Sequence, residues 1–133
     1  MKNLLALFII SAISFSTFGQ TEATEMKVVG SKIYVGDLPL TVGDAATMSI
    51  RASRTARRNF NKAQRIRGWN VFRGIFGAYE VIAGGINLGA GYTIGLVDAA
   101  LGGAMLASIP RREIKRTQRI IMGVKAYNEA IAE

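Results

Sequence analysis

Two long apolar stretches dominate the hydropathy pattern of the chain. They cover residues 69–88 and 92–109 and are separated by Gly89-Ala90-Gly91. Both are close to the length of about 20 residues with which a helix crosses a bilayer. The pattern therefore predicts a Gly-rich helical hairpin of the transmembrane type over residues 69–109.

Small and polar residues recur on one face of each predicted helix. Residues three and four positions apart lie side by side on a helix. In the first stretch such a face contains only polar residues and glycine, and in the second every fourth residue from Gly91 is Gly or Ala. A ridge of this kind, a glycine zipper, lets two helix backbones approach closely in a membrane. We predict that seven residues pack the helices together: Gly77, Gly84, Gly91, Gly95, Ala99, Gly103 and Ala107.

Four polar residues interrupt the apolar stretches, namely Arg73, Glu80, Asn87 and Asp98. An ionisable group inside a membrane segment is a functional candidate. In a hairpin that turns near Ala90, Glu80 and Asp98 differ in depth by about 3 Å. Two carboxylates at one depth do not both ionise in a low dielectric without a cation. Three interpretations stay open: a proton or cation site, pairing with Arg73 of a neighbouring copy, or exposure to a watery crevice.

Shorter patterns flank the hairpin. Apolar and polar residues alternate around turn signals at Gly30 and Gly36, which predicts a short β-hairpin and linker over residues 20–43. Thr41 stands three residues before Asp44, a spacing typical of a capping box at the start of a helix. We predict a basic amphipathic helix from about Val42 to Arg67, and we assign residues 44–68 to this basic-helix segment of the chain. An amphipathic C-terminal helix is predicted over residues 110–133. The predicted fold class is mainly α.

The first 19 residues have the pattern of a secretory signal. Lys2 precedes an apolar run over residues 4–13, and small residues, Thr17 and Gly19, stand before the predicted cleavage after Gly19. A second possible cleavage follows Ala23. The apolar part, residues 4–18, is too short to span a bilayer, which favours a cleaved signal over an uncleaved anchor. We expect an exported protein in an envelope membrane facing the periplasm, the inner membrane rather than the outer.

Basic residues are concentrated on both sides of the apolar region. The chain has 17 Lys and Arg against 9 Asp and Glu, a net charge of +8. Lys and Arg near a membrane surface attract anionic headgroups. We predict a lipid-surface face of twelve cations: Arg51, Arg54, Arg57, Arg58, Lys62, Arg65, Arg67, Arg111, Arg112, Lys115, Arg116 and Arg119.

The expected topology conflicts with this charge distribution. A cleaved signal followed by two spans leaves both basic blocks outside, whereas basic flanks are normally retained in the cytoplasm. Three explanations stay open. The hairpin does not cross the membrane fully, or it inserts from outside, or the basic blocks bind an anionic leaflet or partner.

The composition excludes most enzyme chemistry. The chain has no Cys and no His, so it has no disulfide, no zinc site of the usual ligand set and no Cys–His or Ser–His nucleophile pair. No Gly-Lys-Ser/Thr follows a Gly-rich stretch, so a phosphate loop is absent. We therefore predict no catalytic, cofactor-binding or metal-binding residue and expect that the protein is not an enzyme.

The order of these parts resembles a family of small uncharacterised exported proteins of the Bacteroidota. The motifs that carry the resemblance are Phe18-Gly19-Gln20, the turn at Tyr34 and Gly36, Ser108-Ile109-Pro110 and Ala126-Tyr127-Asn128, together with the basic helix and the Gly-rich double apolar stretch. The resemblance implies an exported location and this architecture. It implies no activity.

The sequence thus favours a non-enzymatic membrane-embedded or membrane-associated protein. Its Gly-lined hairpin would self-associate or bind an envelope partner, and its cationic flanks would bind anionic lipid. One alternative is a membrane-permeabilising pore lined by Arg73, Glu80 and Asn87. Another is a periplasmic module that binds an anionic polymer, although no nucleic-acid motif is present. A compact Gly-rich hairpin that oligomerises in the periplasm is the structural alternative.

Overall fold

A computed structural model describes residues 24–133 of the protein. The signal sequence predicted over residues 1–19 and both predicted cleavage positions lie outside this part of the chain. The described residues are mainly helical, with a small antiparallel sheet at their N-terminal end. This confirms the predicted fold class.

The sheet has three strands in the order β1-β2-β3, with β1 at Met26–Val29, β2 at Lys32–Val35 and β3 at Leu38–Leu40. The predicted hairpin is therefore extended by one strand. Both two-residue turns begin with a glycine at positive φ, 63° at Gly30 and 58° at Gly36. Type II′ turns require this conformation at the first central position, and they join antiparallel strands with the correct twist.

Four helices follow: α1 at Val42–Ala52, α2 at Arg54–Gly89, α3 at Ile94–Ala107 and α4 at Ile109–Ala132. Helix α1 begins with the capping box that the sequence predicts. The Asp44 backbone N–H donates to Thr41 Oγ1 at 3.1 Å, and the Thr41 backbone N–H donates to Asp44 Oδ2 at 3.3 Å. These bonds satisfy amide groups that have no partner within the helix.

The prediction of a single helix from Val42 to Arg67 is wrong in two respects. Ser53 adopts an extended conformation and separates α1 from α2, and its side chain caps α2 by accepting from the Ala56 backbone N–H at 3.3 Å. Helix α2 then continues through Gly68 to Gly89, over about 54 Å. It continues because its buried face keeps one register across this point, with buried residues at Ala56, Phe60, Ala63, Asn70, Gly77 and Gly84.

Helices α3 and α4 together form the antiparallel partner of α2. They are separated only by Ser108, which is itself close to helical (φ −78°, ψ −18°). Helix α3 packs on the second half of α2 and α4 on the first half. We call residues 69–109 the apolar hairpin. We call the rest of the described chain, in which the sheet and α1 pack on the basic half of α2 and on α4, the head.

The head contains a closed apolar core. Phe60, Met26, Ile33 and Ile120 are its largest fully buried apolar side chains. The Phe60 ring lies so close to Gly123 that a Cβ on this glycine would come within 2.7 Å of it. Asn128 attaches β1 to α4, since its Nδ2 donates to the Met26 carbonyl at 2.8 Å and its Oδ1 accepts from the Met26 N–H at 2.9 Å.

Candidate functional site: the apolar hairpin and its basic junction

Glycines form the contact between α2 and α3. A Cβ on Gly84 would lie 2.6 Å from the Gly95 carbonyl oxygen and 2.6 Å from the Ala99 nitrogen. A Cβ on Gly102 would lie 2.5 Å from the Gly77 carbonyl oxygen. Contacts this short are with backbone atoms, which cannot rotate away. The structure thus brings together Gly77, Gly84, Gly95 and Ala99, all of which the sequence marks for helix packing.

The remaining three predicted packing residues lie elsewhere. Gly91 is in the turn between the helices, with φ of 84°. Gly103 has open space where a Cβ would stand, and Ala107 is exposed at the base of the hairpin. Gly102, and not Gly103, packs against α2. Each step of four residues advances about 40° beyond a full helical turn, so a ridge built only of such steps rotates away from the contact.

In the apolar hairpin, small residues are buried and large apolar side chains are exposed, which is the reverse of their distribution in a soluble protein. Every buried apolar residue of the described chain belongs to the head. Inside residues 69–109 the buried positions are four glycines and Asn70. Large apolar side chains lie outward instead, with Ile75 71 % exposed and Ile86 67 % exposed. The outer surface of the hairpin is therefore apolar on both helices.

Aromatic side chains line the head-side half of this outer surface. Trp69 and Phe72 meet edge to face with ring centroids 5.8 Å apart, and Phe72 stacks on Phe76 at 5.6 Å. Tyr79 continues the row at 6.4 Å from Phe76. Trp69 at the base and Tyr92 at the tip mark the two ends of the apolar surface. Trp and Tyr are the residues enriched where a membrane meets water.

The four polar residues predicted inside the apolar region lie in three different settings. Arg73 Nη1 donates to Ser108 Oγ at 2.7 Å, and Asn87 Nδ2 donates to Asp98 Oδ2 at 3.2 Å. Glu80 is half-buried, and its Cβ lies beside Gly102. No hydrogen bond joins Glu80 to Asp98 within the described chain. Because Gly84 lies level with the middle of the Gly95–Ala99 turn, the levels of Glu80 and Asp98 differ by about three residues, or roughly 4.5 Å, rather than the 3 Å that an ideal turn at Ala90 predicts.

Two of the twelve predicted lipid-facing cations have partners within the head, one of them on α4 itself and the other on α2. The Arg116 side chain is 14 % exposed and pairs with Glu113, which also accepts from Asn70 Nδ2 at 2.9 Å. Arg119 Nη1 donates to Asn59 Oδ1 at 3.2 Å. Arg119 therefore joins α4 to α2 directly, whereas Arg116 pairs with the carboxylate that Asn70 of α2 also bonds. Asn70 itself was not predicted as a site residue, although it falls on the same seven-residue register as Gly77 and Gly84.

The other ten cations stand at different heights above the apolar hairpin. Along α2, Arg67 lies about 3 Å from the level of Trp69, whereas Arg54 lies about 22 Å from it. Arg54, Arg57 and Arg58 share a groove on the head with Lys62 and Arg65. Charges beyond the Debye length of about 8–10 Å are largely screened from a surface. If the apolar hairpin stands upright in a bilayer, only the lower cations reach the lipid headgroups.

One helical segment of the described chain is long and apolar enough to cross a membrane by length and composition. It is Ile94–Ala132, whose most apolar window has a mean hydropathy of 1.2 and is 11 % buried. A core helix of a soluble protein passes the same length test but is mostly buried. Exposure is therefore the more informative property here.

No group of three or more His, Cys, Asp or Glu side chains that could hold a metal ion occurs among residues 24–133. Of the two acidic residues of the apolar hairpin, Asp98 accepts a hydrogen bond from Asn87, and the Cβ of Glu80 lies beside Gly102. No family model, curated protein or solved structure matches the chain.

Proposed function

We propose that the protein is a non-enzymatic exported membrane protein whose apolar hairpin is embedded in a bilayer and whose head lies on one membrane surface. The observation that carries this proposal is the inverted arrangement of residues 69–109, with glycines inside and large apolar side chains outside. In water such a surface is costly, at about 25 cal/mol for each Å² of apolar area left exposed. In lipid the same surface is the stable one.

The dimensions of the apolar hairpin support the proposal. Residues 69–89 of α2 extend over about 30 Å, the thickness of the hydrocarbon core of a bilayer. Close contact through glycines is also the usual way in which helices associate in lipid, where apolar side chains gain nothing by leaving the solvent. Pairing of Asn87 with Asp98 and of Arg73 with Ser108 reduces the cost of placing polar groups at depth.

The fold also bears on topology. Because α2 and the α3–α4 pair are antiparallel, both ends of the apolar hairpin return to the same head. We infer that the hairpin enters the membrane from the side on which the head stands. With the predicted signal cleaved, this is the periplasmic side, and the basic residues near Trp69 then face the outer surface of the inner membrane.

The glycine contact is formed within one chain. Gly84 meets Gly95, and Gly77 meets Gly102, so these residues have no free side for a second copy. Self-association or binding of an envelope partner would therefore use the outward apolar faces and not the glycine contact. This is a change from the arrangement that the sequence suggests.

Extraction of membranes tests the proposal. We expect the protein to stay in the membrane pellet through a wash in about 1 M NaCl, which shortens the Debye length to roughly 3 Å and releases electrostatically bound proteins. It should also stay there through alkaline carbonate. Release by salt would show surface binding alone, and recovery in the soluble fraction without any wash would contradict the proposal.

A further inference from the structure

A basic cleft lies where the apolar hairpin joins the head. Arg73 of α2 forms one side, and Arg111, Arg112 and Lys115 of α4 form the other, around Ser108. The wall toward the hairpin consists of Ala104 and Ala107 of α3. The cleft has a volume of about 530 Å³, which leaves room for a polar headgroup between the cations.

The cleft has four positive charges and no carboxylate on its lining. The nearest acid along α4, Glu113, is already engaged by Arg116 and Asn70. No ion pair within residues 24–133 involves Arg73, Arg111, Arg112 or Lys115. Unlike the charges of Arg116, these four are available to an anion.

Arg73 is fixed in place before any ligand arrives. It is half-buried, and Nη1 donates to Ser108 Oγ, which in turn donates to the Met105 carbonyl at 2.7 Å. A guanidinium has five N–H donors in a rigid plane, and this hydrogen bond uses one. A planar group of remaining donors is suited to phosphate oxygens, which accept two parallel bonds from arginine.

The cleft lies at the head-side end of the apolar hairpin, where lipid headgroups are expected. Arg73 is one helical turn, about 6 Å, below Trp69, and Arg111 follows directly after Pro110 at the end of the apolar stretch. With the apolar hairpin in a bilayer, Arg111, Arg112 and Lys115 stand at the boundary between acyl chains and headgroups, and the long side chain of Arg73 extends toward it from about 6 Å below. The small side chains of Ala104 and Ala107 leave space there for the glycerol part of a lipid.

We propose that this cleft binds the phosphate of an anionic lipid whose headgroup has more than one negative charge, such as a phosphomonoester lipid. The inference rests on the proposed membrane location and adds the identity of the ligand class. A phosphodiester headgroup supplies a single charge and leaves most of the cleft unneutralised. A phosphomonoester, with a second pKa near 6, supplies between one and two charges at neutral pH.

Vesicle flotation with the full chain tests the inference. Phosphatidylcholine vesicles contain either phosphatidic acid, a monoester, or phosphatidylglycerol, a diester, at amounts adjusted to equal surface potential. We expect tighter binding to the phosphatidic acid vesicles by about fivefold, the equivalent of one additional charge contact at roughly 1 kcal/mol. Equal binding to both overturns the inference but leaves the proposed function intact. Failure to float with any vesicle overturns the proposed function itself.

Paired substitutions locate the effect. Arg73→Gln with Arg112→Gln should remove the preference for phosphatidic acid while flotation persists. Arg111→Gln with Lys115→Gln should also remove the preference for phosphatidic acid. These two side chains are exposed and have no intrachain partner in the described residues, so their replacement is not expected to disturb folding. The control, Arg57→Gln with Arg58→Gln, removes the same charge from the head and should keep the preference. A preference that survives both cleft pairs, or is lost in the control, contradicts the assignment.

A soluble ligand distinguishes a lipid from free phosphate. Glycerol phosphate should not compete with phosphatidic acid vesicles, because the cleft is placed to take a phosphate already held at the membrane. Competition at equal phosphate concentration would assign the cleft to soluble phosphate compounds and overturn the lipid assignment.

Discussion

Replacing Ile82 and Val97 by aspartate is expected to release the protein from membranes. Both side chains lie on the outer surface of the apolar hairpin, 63 % and 60 % exposed, at nearly the same level on the two helices. Exchanging an aliphatic residue for Asp in the centre of a membrane helix costs about 3 to 4 kcal/mol, so the pair costs roughly 6 to 8. The eight Leu, Ile, Phe and Val residues of the first stretch contribute about −2.4 to −4.8 kcal/mol to its insertion, and Glu80 takes back about 2.5 to 3.5, so the cost of one Asp exceeds what remains. Flotation with vesicles measures the loss.

The head supplies a matched control for this change. Val29 and Leu38 are apolar residues of the sheet with exposed fractions of 66 % and 72 %. Val29→Asp with Leu38→Asp adds the same charge at equally exposed apolar positions, and this variant should float as the parent protein does. A double aspartate variant of the apolar hairpin that still floats would mean that Ile82 and Val97 are not in contact with lipid.

Leucine at Gly102 is expected to separate the two helices of the apolar hairpin, whereas leucine at Gly103 is not. A Cβ at position 102 meets the Gly77 carbonyl oxygen at 2.5 Å and the Val81 nitrogen at 2.8 Å, while nothing lies within 4 Å of one at position 103. Overpacking of this kind costs about 1–3 kcal/mol or more. At position 103 the change relieves the poor helix propensity of glycine, worth up to about 1 kcal/mol.

Disulfide formation reports whether the hairpin is closed. The chain has no Cys, so Asn87→Cys with Asp98→Cys introduces a single pair at side chains that lie within hydrogen-bond distance. The pair should cross-link in the parent background and with Gly103→Leu, and fail with Gly102→Leu. The opposite order, with Gly103→Leu blocking the cross-link, would support the ridge of four-residue steps and contradict the register of the structure.

This register is one point where sequence patterns were informative but incomplete. A face of small residues at steps of three and four is visible in the sequence, and it includes Gly77, Gly84, Gly95 and Ala99. The choice between Gly102 and Gly103 depends on where α3 rotates against α2. The sequence does not show which rotation is adopted, because neither of these adjacent glycines has a side chain that would favour the face toward α2 or the face away from it.

The fate of the basic residues was harder to anticipate. A run of Arg and Lys predicts a solvated or lipid-facing surface, and most of the twelve cations are compatible with that. Arg116 and Arg119 are instead engaged within the head, because Arg116 pairs with Glu113 on α4 itself and Arg119 bonds Asn59 across the α2–α4 pair. Glu113 is 3 residues from Arg116 along the chain, whereas Asn59 is 60 residues from Arg119. Only the second contact therefore requires the tertiary fold. The continuity of α2 through Gly68 has a similar origin, since packing on α3 and α4 outweighs the local cost of a glycine.

The proposed arrangement shields the tip of the apolar hairpin in the membrane and leaves the head in water. Single cysteines in place of Arg58, Ala90 and Lys125, each exposed in the structure, measure this directly with a membrane-impermeant thiol reagent on sealed membranes. We predict labelling at positions 58 and 125 and none at position 90 until detergent is added. Labelling at all three positions without detergent would contradict this arrangement.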